Sequence, residues 1–532
     1  MRLRPATRAI ALASLLLGPA LSAAIPAPDV AQPPVAVVDT SAVEPAGRTI
    51  TVPSVGDLQS ALDAARPGDA VELEPGAVYR GPFTLPKKSG AGWIVVRTAG
   101  EAGAAAAGTR VDPPQARRMA KLVAASGAVV KTAPGAHHYR LSGVEIRPTD
   151  STFLYNLVEI GGAETSPDQF PHHVIIERCV LHGDPKRGTR RGVALNGMHT
   201  AVIDSHIADI KEAGNDSQAI AGWNGPGPFK IANNYLEGAG ENVMFGGIDP
   251  SIRDLVPADI EVLGNYMTKP LAWRVGDPAY AGTAWTVKNI FELKNARRVR
   301  VEGNLFEHSW VQSQIGFAIV FTVRNQDGRA PWSVVEDVTF ANNVVRGATS
   351  GVNIHGRDNN HPSQPTRRIV IRNNLFIDLG GPRWGGEGRL FQITAGTSSV
   401  VIDHNTAIHI GHIIAAEGPS HRGFVFTDNI VAHNTYGIAG TDVGTGTRAL
   451  DALFPGAIVR RNVIVGGSAA EYPRDNFFVS SWAQVKFEDL TQGRVRLTES
   501  SPFRRAGLDG ADVGVDDRTL GQTVRPGGDG RR

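Results

Sequence analysis

The sequence has little cysteine, no excess of charge of one sign and no long apolar run beyond its first residues. One cysteine, Cys179, among 532 residues cannot form a disulfide within the chain, so burial and hydrogen bonds must hold the fold. The 54 Lys and Arg nearly balance the 52 Asp and Glu, which argues against a nucleic-acid partner. No stretch after the N-terminus approaches the about 20 apolar residues of a membrane span. We therefore expect neither a nucleic-acid partner nor a membrane span in the mature protein.

The N-terminus has the pattern of a secretory signal. Arg2, Arg4 and Arg8 precede the apolar run 9–21, and small residues follow at 22–24. We predict a signal peptide over 1–24 and a secreted or periplasmic protein. Residues 25–48 are rich in Pro, Ala and Val, which predicts a flexible leader.

A short β-branched repeat dominates the chain from residue 174 onward. Each unit is a strand that ends in a small polar residue, usually Asn, followed by a second short apolar strand. The units lie at 174–179, 201–205, 230–234, 260–265, 299–304, 338–343, 369–374, 400–405, 424–429 and 458–462. Such units exclude helical repeats. Because Asn tolerates left-handed backbone and its amide can pair with a copy of itself, stacked Asn residues predict a hydrogen-bonded ladder inside a parallel coil.

The spacing of the repeat is elastic. Thirty-one residues separate Asn343 from Asn374 and Asn374 from Asn405, whereas 39 separate Asn304 from Asn343 and 24 separate Asn405 from Asn429. A fixed core with variable spacers is typical of a coil whose turns carry loops of different length.

This pattern resembles the right-handed parallel β-helix superfamily, in its pectate-lyase-like form. The resemblance includes the N-terminal segments 57–62, 66–69 and 81–86, which are similar to a capping entry with a short helix around 55–65, and the closing segments 500–503 and 507–514. It implies an all-β, single-stranded parallel β-helix over 49–515 with a short N-terminal capping helix. The Gly- and Arg-rich residues 516–532 predict a disordered tail. A coil capped at both ends has no obligatory open edge, so we expect a monomer.

Four segments within 289–392 alternate apolar and polar residues and suggest one shared face. They are 291–295, 321–325, 352–358 and 390–394. Aligning their apolar positions puts Glu292, Thr322, Asn353 and Gln392 in one outward column, and Lys294, Arg324, His355 and Thr394 in the next. The preceding segment 241–245 places Asn242 level with Glu292. Longer loops follow these strands at 249–259, 326–332 and 357–367, where they would wall a groove.

This composition suits β-elimination of a uronic-acid polysaccharide. The reaction needs neutralisation of the substrate carboxylate, a base for the C5 proton and assistance to the leaving oxygen. Lys294 beside Arg324 suits the base, since a neighbouring cation lowers a lysine pKa, and Arg324 suits charge stabilisation. His355 competes for either proton transfer. We expect substrate contacts from the remaining polar residues of the face, which are Asn325, Asn353, Arg357, Asp358 and Gln392.

The same face resembles the alginate-lyase and chondroitinase-B branch of the superfamily. That resemblance implies Lys294 as base, Arg324 as acid or stabiliser, and a Ca²⁺ ion held by Asn242 and Glu292, with Glu241 as a third ligand. Waters or substrate would complete the six to eight oxygen ligands of calcium.

Other functions remain open from the sequence. A hydrolase would pair Glu292 with Asp249 or Asp358 as two carboxylates. A C5-epimerase would use the same proton-abstracting groups. A non-catalytic carbohydrate-binding or surface β-helix protein would tolerate loss of Lys294 and depend on groove aromatics instead.

Overall fold

The fold is built from three long sheets that the chain visits in a fixed order. The protein is seen in a computed structural model that describes residues 29–100, 106 and 108–523, so the predicted signal peptide lies outside the described residues. Strands are numbered in chain order. From β2 onward the chain passes from sheet A to sheet B to sheet C and back to sheet A, and each strand pairs in parallel with the equivalent strand of the next turn. The predicted parallel β-helix is confirmed.

Sheet A has 14 strands. They are β1 (Thr49–Val52), β2 (Ala70–Leu73), β5 (Ile94–Thr98), β8 (His137–Ser142), β11 (His172–Glu177), β14 (Met198–Ile203), β17 (Phe229–Ala232), β20 (Ala258–Leu263), β23 (Ala296–Glu302), β26 (Val335–Ala341), β29 (Arg367–Arg372), β32 (Ser398–Asp403), β35 (Val425–Thr427) and β39 (Ile458–Arg460).

Sheet B also has 14 strands. They are β3 (Val78–Arg80), β6 (Ala120–Ala124), β9 (Val144–Pro148), β12 (Val180–His182), β15 (His206–Ile210), β18 (Tyr235–Gly238), β21 (Tyr266–Thr268), β24 (Leu305–Glu307), β27 (Val344–Ala348), β30 (Leu375–Leu379), β33 (Thr406–His409), β36 (Ile430–Ala432), β40 (Val463–Val465) and β41 (Phe477–Val479).

Sheet C has 13 strands, of which the last pairs antiparallel. They are β4 (Phe83–Leu85), β7 (Val130–Thr132), β10 (Asn156–Ile160), β13 (Arg191–Leu195), β16 (Gln218–Gly222), β19 (Glu241–Phe245), β22 (Phe291–Leu293), β25 (Ile319–Thr322), β28 (Val352–His355), β31 (Phe391–Thr394), β34 (Ile414–Glu417), β37 (Ile438–Gly440) and β38 (Gly444–Thr445). A separate hairpin joins β42 (Phe487–Asp489) to β43 (Arg494–Leu497), and the helices are α1 (Leu58–Ala64), α2 (Thr447–Leu453) and α3 (Asp517–Thr523).

The predicted asparagine ladder runs along the corner between sheets A and B. Asn265, Asn304, Asn343 and Asn374 are fully buried, and each side-chain amide donates to the Oδ1 atom of the Asn one turn on at 2.9–3.1 Å. Each amide also donates to a backbone carbonyl of the preceding turn, as Asn343 does to Val301 at 3.0 Å. The left-handed residue is the one before the ladder position, such as Asn342 with φ 57°. In the doubled Asn-Asn steps the first residue therefore makes the bend and the second makes the ladder.

The N-terminal helix α1 closes one end of the coil as predicted. Asp57 caps it by accepting a hydrogen bond from the backbone N–H of Ser60. Leu58, Leu62 and Ala65 are buried at 2%, 2% and 1% exposure, which covers apolar side chains that the first turn would otherwise leave in water. Within the described residues no helix is both long and apolar enough to cross a bilayer.

The described part of the predicted flexible leader, residues 29–48, lies against sheet A instead. The backbone N–H groups of Gln32 and Val35 donate to the carboxylates of Asp337 and Asp259, each at 2.9 Å. Val38 is 4% exposed and packs with Ile175, Ala201 and Ile203. The prediction was wrong for these residues because composition does not show backbone donors meeting carboxylates more than 200 positions away.

The predicted disordered tail is also partly folded. Residues Asp517–Thr523 form α3, and Leu520 is 3% exposed in a cluster with Leu305, Val344 and Leu375 of sheet B. The chain thus returns over sheet B after the last turn of the coil. Residues 524–532 lie outside the described residues.

Candidate active site

Two columns of side chains lie on the outer face of sheet C, and each column consists of residues that the strand register places side by side. Glu292 pairs with Val320, which pairs with Asn353, and Asn353 pairs with Gln392. In the next column Thr322 pairs with His355 and His355 with Thr394. Lys294 directly follows β22 and lies level with this second column, because Leu293 pairs with Phe321.

The predicted alignment was wrong at β25. Phe321 pairs with Leu293, whereas the sequence alignment matched it to Phe291, so Thr322 lies beside His355 and Arg324 lies one column further toward the loop. A shift of two residues leaves an alternating pattern unchanged, so the apolar pattern alone does not fix the register. Arg324 still neighbours Lys294, since its backbone N–H donates to the Lys294 carbonyl at 2.8 Å.

Asn242 does not lie on this face. The strand partner of Glu292 is Met244, so the predicted alignment of Asn242 with Glu292 was wrong. The Asn242 amide is fully buried and donates to the carbonyls of Leu236 at 2.7 Å and Thr268 at 2.8 Å. Its Oδ1 atom accepts from the buried Lys269 ammonium at 3.3 Å. Asn242 is therefore part of the interior hydrogen bonding.

Two neighbouring carboxyl groups are buried at this face, Glu292 in the first column and Glu241 beside it. Glu241 is 0% and Glu292 is 4% exposed. Glu241 accepts from the Gln218 amide at 2.8 Å and lies 2.8 Å from the Lys288 ammonium. Glu292 accepts from the Asn289 amide at 3.0 Å, and its other oxygen lies 3.6 Å from Lys294 Nζ.

The sequence did not indicate three of these contacting residues, Lys288, Gln218 and Asn289, because the strands contain bulges. The N–H groups of Asn242 and Val243 both donate to the Ile290 carbonyl, and those of Ile290 and Phe291 both donate to Ala318. An extra residue at the start of a strand reverses the side of the sheet that the preceding residues face. As a result Asn289 and Glu292 lie side by side although their numbers differ by three.

Burial and nearby charges shift the pKa values of the two carboxyl groups in opposite directions. Burial raises the pKa of Glu292, and the negative charge of Glu241 adds to this, with Lys294 opposing only in part. Burial also opposes ionisation of Glu241, but the ammonium groups of Lys288 and Lys294 outweigh it and hold the pKa of Glu241 below its usual range. The two carboxyl groups are therefore shifted in opposite directions, and Glu292 is the one that binds a proton more readily.

Arg324 is positioned by the loop that follows β28. Its guanidinium donates to Asp358 Oδ1 at 2.8 Å and to Asn359. The second Asp358 oxygen accepts from the backbone N–H of Asn325 at 2.8 Å, and the Asp358 side chain is 1% exposed. The Asn325 side chain is fully buried and bonds Pro362 and Ala330 within the loops. Both predicted substrate-binding residues thus have contacts that orient Arg324 and its loop.

The remaining predicted residues continue the face along β28 and β31. His355 Nδ1 lies 2.6 Å from Thr394 Oγ1, and burial together with the Arg324 charge lowers the pKa of His355. Asn353 is half-buried in the column of Glu292, and Arg357 is exposed with one contact of 3.4 Å to the Ser363 carbonyl. Gln392 accepts from Arg389 at 2.7 Å and lines a cavity of about 270 Å³.

Loops border this face on both sides. At the carboxyl ends of the strands, Asp249 accepts the backbone N–H groups of Asp327 and Arg329, and Trp332 Nε1 donates to Leu255, so loops of different turns are joined. At the other ends lies a cluster of tryptophans buried as loop anchors, Trp273, Trp285, Trp310 and Trp384. The face is therefore the floor of a groove.

Two glycines allow one loop to pass against Lys294. Gly246 and Gly247 have φ of 94° and 82°, a region that favours glycine. A Cβ atom on Gly246 would lie 2.9 Å from Lys294 Cβ, and one on Gly247 would lie 3.5 Å from Lys294 Cδ. Their lack of side chains leaves room for the lysine at the edge of the groove.

The residues implied as calcium ligands do not fit that ion. Asn242 faces the interior, and the Glu241 and Glu292 carboxyl groups already lie beside the ammonium groups of Lys288 and Lys294. Calcium requires six to eight oxygen ligands, whereas these contacts supply competing positive charge.

Comparison with known proteins identifies the fold. No protein family model and no curated protein matches the sequence. The catalytic unit of a thermostable GH87 α-1,3-glucanase from Streptomyces thermodiastaticus strain HF3-3 matches with a TM-score of 0.52 and 13% identity, over 84% of this chain and 72% of that one. A variant of the PL6 family alginate lyase AlyGC matches with a TM-score of 0.50 and 15% identity, over 90% of this chain and 59% of the lyase. The chain thus has the right-handed parallel β-helix fold.

Proposed function

We propose that the protein is an enzyme that cleaves an acidic, uronic-acid-containing polysaccharide by β-elimination. The observation that carries the proposal is the set Lys294, Arg324 and His355, which lie at the ends of three neighbouring strands of sheet C, with Lys294 3.6 Å from the buried Glu292 carboxyl group. The bordering loops make the face the floor of a groove. The alginate lyase among the structural neighbours has the same fold, but a shared fold alone does not establish a shared reaction.

In the proposed reaction Arg324 pairs with the substrate carboxylate and acidifies the C5 proton. Lys294, as the neutral amine, takes that proton. The C4–O bond breaks, its electron pair leaves on oxygen, and a C4–C5 double bond forms. His355, as the imidazolium, donates a proton to the leaving oxygen and is left as the neutral imidazole, the form that its lowered pKa favours.

Glu292 assists Lys294 in this scheme. Its carboxyl group lies 3.6 Å from Lys294 Nζ and holds the lysine at the edge of the groove. Burial raises the pKa of Glu292, so this carboxyl group binds a proton more readily than an ordinary glutamate does.

The test is ultraviolet absorbance of the unsaturated product, with alginate, pectate, chondroitin and glucuronan as substrates. We expect a rise on at least one polymer, a loss of about 10²-fold or more in Lys294→Ala, and no loss on adding a chelator. Lys131→Ala is the matched control, since Lys131 is an exposed lysine on β7 of the same sheet. Equal loss in both variants, or full activity in Lys294→Ala, would contradict the proposed base.

A second candidate function is hydrolysis, favoured by the opposite pKa shifts of the neighbouring carboxyl groups Glu241 and Glu292. Two carboxyl groups whose surroundings push their pKa values apart are the pairing that glycoside hydrolases use. In that case new reducing ends would form without ultraviolet absorbance, and Glu292→Gln would abolish them. If neither product forms while the folded protein still binds polymer, the protein is a carbohydrate-binding β-helix.

A further inference from the structure

Five histidines line the edge of sheet A where the chain enters it from sheet C. Strand register places Trp93, His138, His173 and His199 in one column over four turns of the coil. A second column beside it contains His137, His172 and Met198. All five histidines lie away from the groove of sheet C.

The backbone turns both members of each His-His pair outward. His138, His173 and His199 have φ of 58°, 54° and 50°, a left-handed bulge at the second residue of each pair. The rings then stack between turns, with centroids 4.8 Å apart for His137 and His172 and 4.5 Å apart for His138 and His173. Within each pair the Nδ1 atoms lie 2.8–2.9 Å apart.

Further along the coil, the side chains in the column of His138, His173 and His199 form ion pairs. There Asp259 pairs with Arg298 at 2.7 Å, and Asp337 pairs with Arg368 at 2.6 Å. Among the described residues, no carboxylate lies within ion-pair distance of the five histidines. Their polar atoms therefore meet mainly each other.

The histidines are accessible from the surface of the coil. They are only half-buried, so an ion from solvent can reach them.

We propose that this histidine array binds one divalent transition metal ion of the zinc and copper class. His138, His172 and His173 each offer a ring nitrogen, and these atoms lie within 4.8 Å of one another. Metal–nitrogen bonds of about 2.0–2.1 Å place the ligand atoms of a tetrahedral site about 3.3–3.4 Å apart, so the rings need to close by up to about 1.4 Å. Imidazole ligands select zinc or copper over calcium and magnesium.

The test is isothermal titration calorimetry of the full chain with ZnCl₂, CuCl₂ and MgCl₂ in separate runs. We expect one equivalent of Zn²⁺ or Cu²⁺ to bind, no Mg²⁺ to bind, and affinity to fall by about tenfold or more in His172→Ala and in His173→Gln. His361→Ala, in an exposed loop, is the matched control and should leave affinity unchanged. Absence of Zn²⁺ and Cu²⁺ binding, or equal affinity in all variants, would overturn the proposal.

A second variant separates this array from the other group of ligands. Asp403, His404 and Asp428 also lie within reach of one ion, but Arg372 already pairs with Asp403 at 3.2 Å. We expect His404→Gln to bind metal as the wild type does, and loss of binding in that variant would overturn the assignment. With Cu²⁺ bound, electron paramagnetic resonance should show nitrogen splittings that weaken in His173→Gln, a signal that a purely structural histidine stack would not give.

Discussion

Glu292 is the residue at which burial and charge act most strongly on the site. Burial raises its pKa, the neighbouring Glu241 adds to this, and Lys294 opposes it only in part. A carboxyl group whose pKa is raised on folding binds its proton more tightly in the folded state. The free energy of unfolding therefore falls as pH rises from the ordinary glutamate pKa through the raised value.

Glu292→Gln should remove this pH dependence. The amide keeps the hydrogen bond from Asn289 and has no charge to bury. We expect urea unfolding to show the variant more stable than wild type by on the order of 1 kcal/mol at about pH 8, and no more stable at about pH 4. The exposed Glu417→Gln on the same sheet is the control. A stability difference of the same size at both pH values would contradict the raised pKa.

At the residue scale the sequence predicted which residue types lie on this side of sheet C, but not which of them are direct neighbours. Lys294, Arg324 and His355 do come from neighbouring strands, while Asn242 lies in the interior. The alternating pattern is unchanged by a two-residue shift and reversed by a one-residue bulge. Both occur at this site, so the partners Lys288 and Gln218 required the structure.

At the scale of elements, the asparagine ladder was predictable because its cause is local. Eight of the ten repeats carry an Asn at the same bend, and parallel stacking brings identical amides into hydrogen-bond distance. The ladder satisfies backbone carbonyls that the bend leaves without a strand partner.

Asn343→Ala should be strongly destabilising. It removes bonds to Val301 and Asn374 and leaves the Asn304 amide without its acceptor. We expect a loss of about 2–4 kcal/mol in urea unfolding, since each buried polar group left unsatisfied costs about 1–3 kcal/mol. Thr339→Ala, at a half-buried outward position of β26, should cost far less. Similar losses in the two variants would mean that the ladder is not a main source of stability.

The N-terminal segment is the element whose order composition did not predict. Its attachment involves the buried side chains of Ala31 and Val38 and the backbone N–H groups that meet Asp259 and Asp337. Neither feature leaves a periodic pattern in the sequence.

Val38→Asp should release this segment. The substitution places a charge among Ile175, Ala201 and Ile203, whereas Val37→Asp changes a neighbour that is 60% exposed. Limited proteolysis followed by mass spectrometry should show cleavage within 29–46 in the Val38 variant and not in the Val37 variant. Equal protection of both would show that Val38 does not hold the segment.

For the whole molecule, repetition explains why the coil was predictable and the segments that pack against its outside were not. Successive turns contact mainly their neighbours, so each repeat reports the same packing. The return of the chain over sheet B depends on Leu520 meeting residues of distant turns. Such contacts occur only once, so no repeated sequence pattern indicates them.

The central claim, cleavage by elimination in the groove of sheet C, is tested most directly by the masses of the products. Elimination takes up no water, so the two fragments together weigh the same as the polymer segment that was cut, whereas hydrolysis adds one water. We predict fragments with an unsaturated end and no added water, formed by wild type and by Lys131→Ala but not by Lys294→Ala. Fragments that carry one added water would contradict the elimination and assign the groove to a hydrolase.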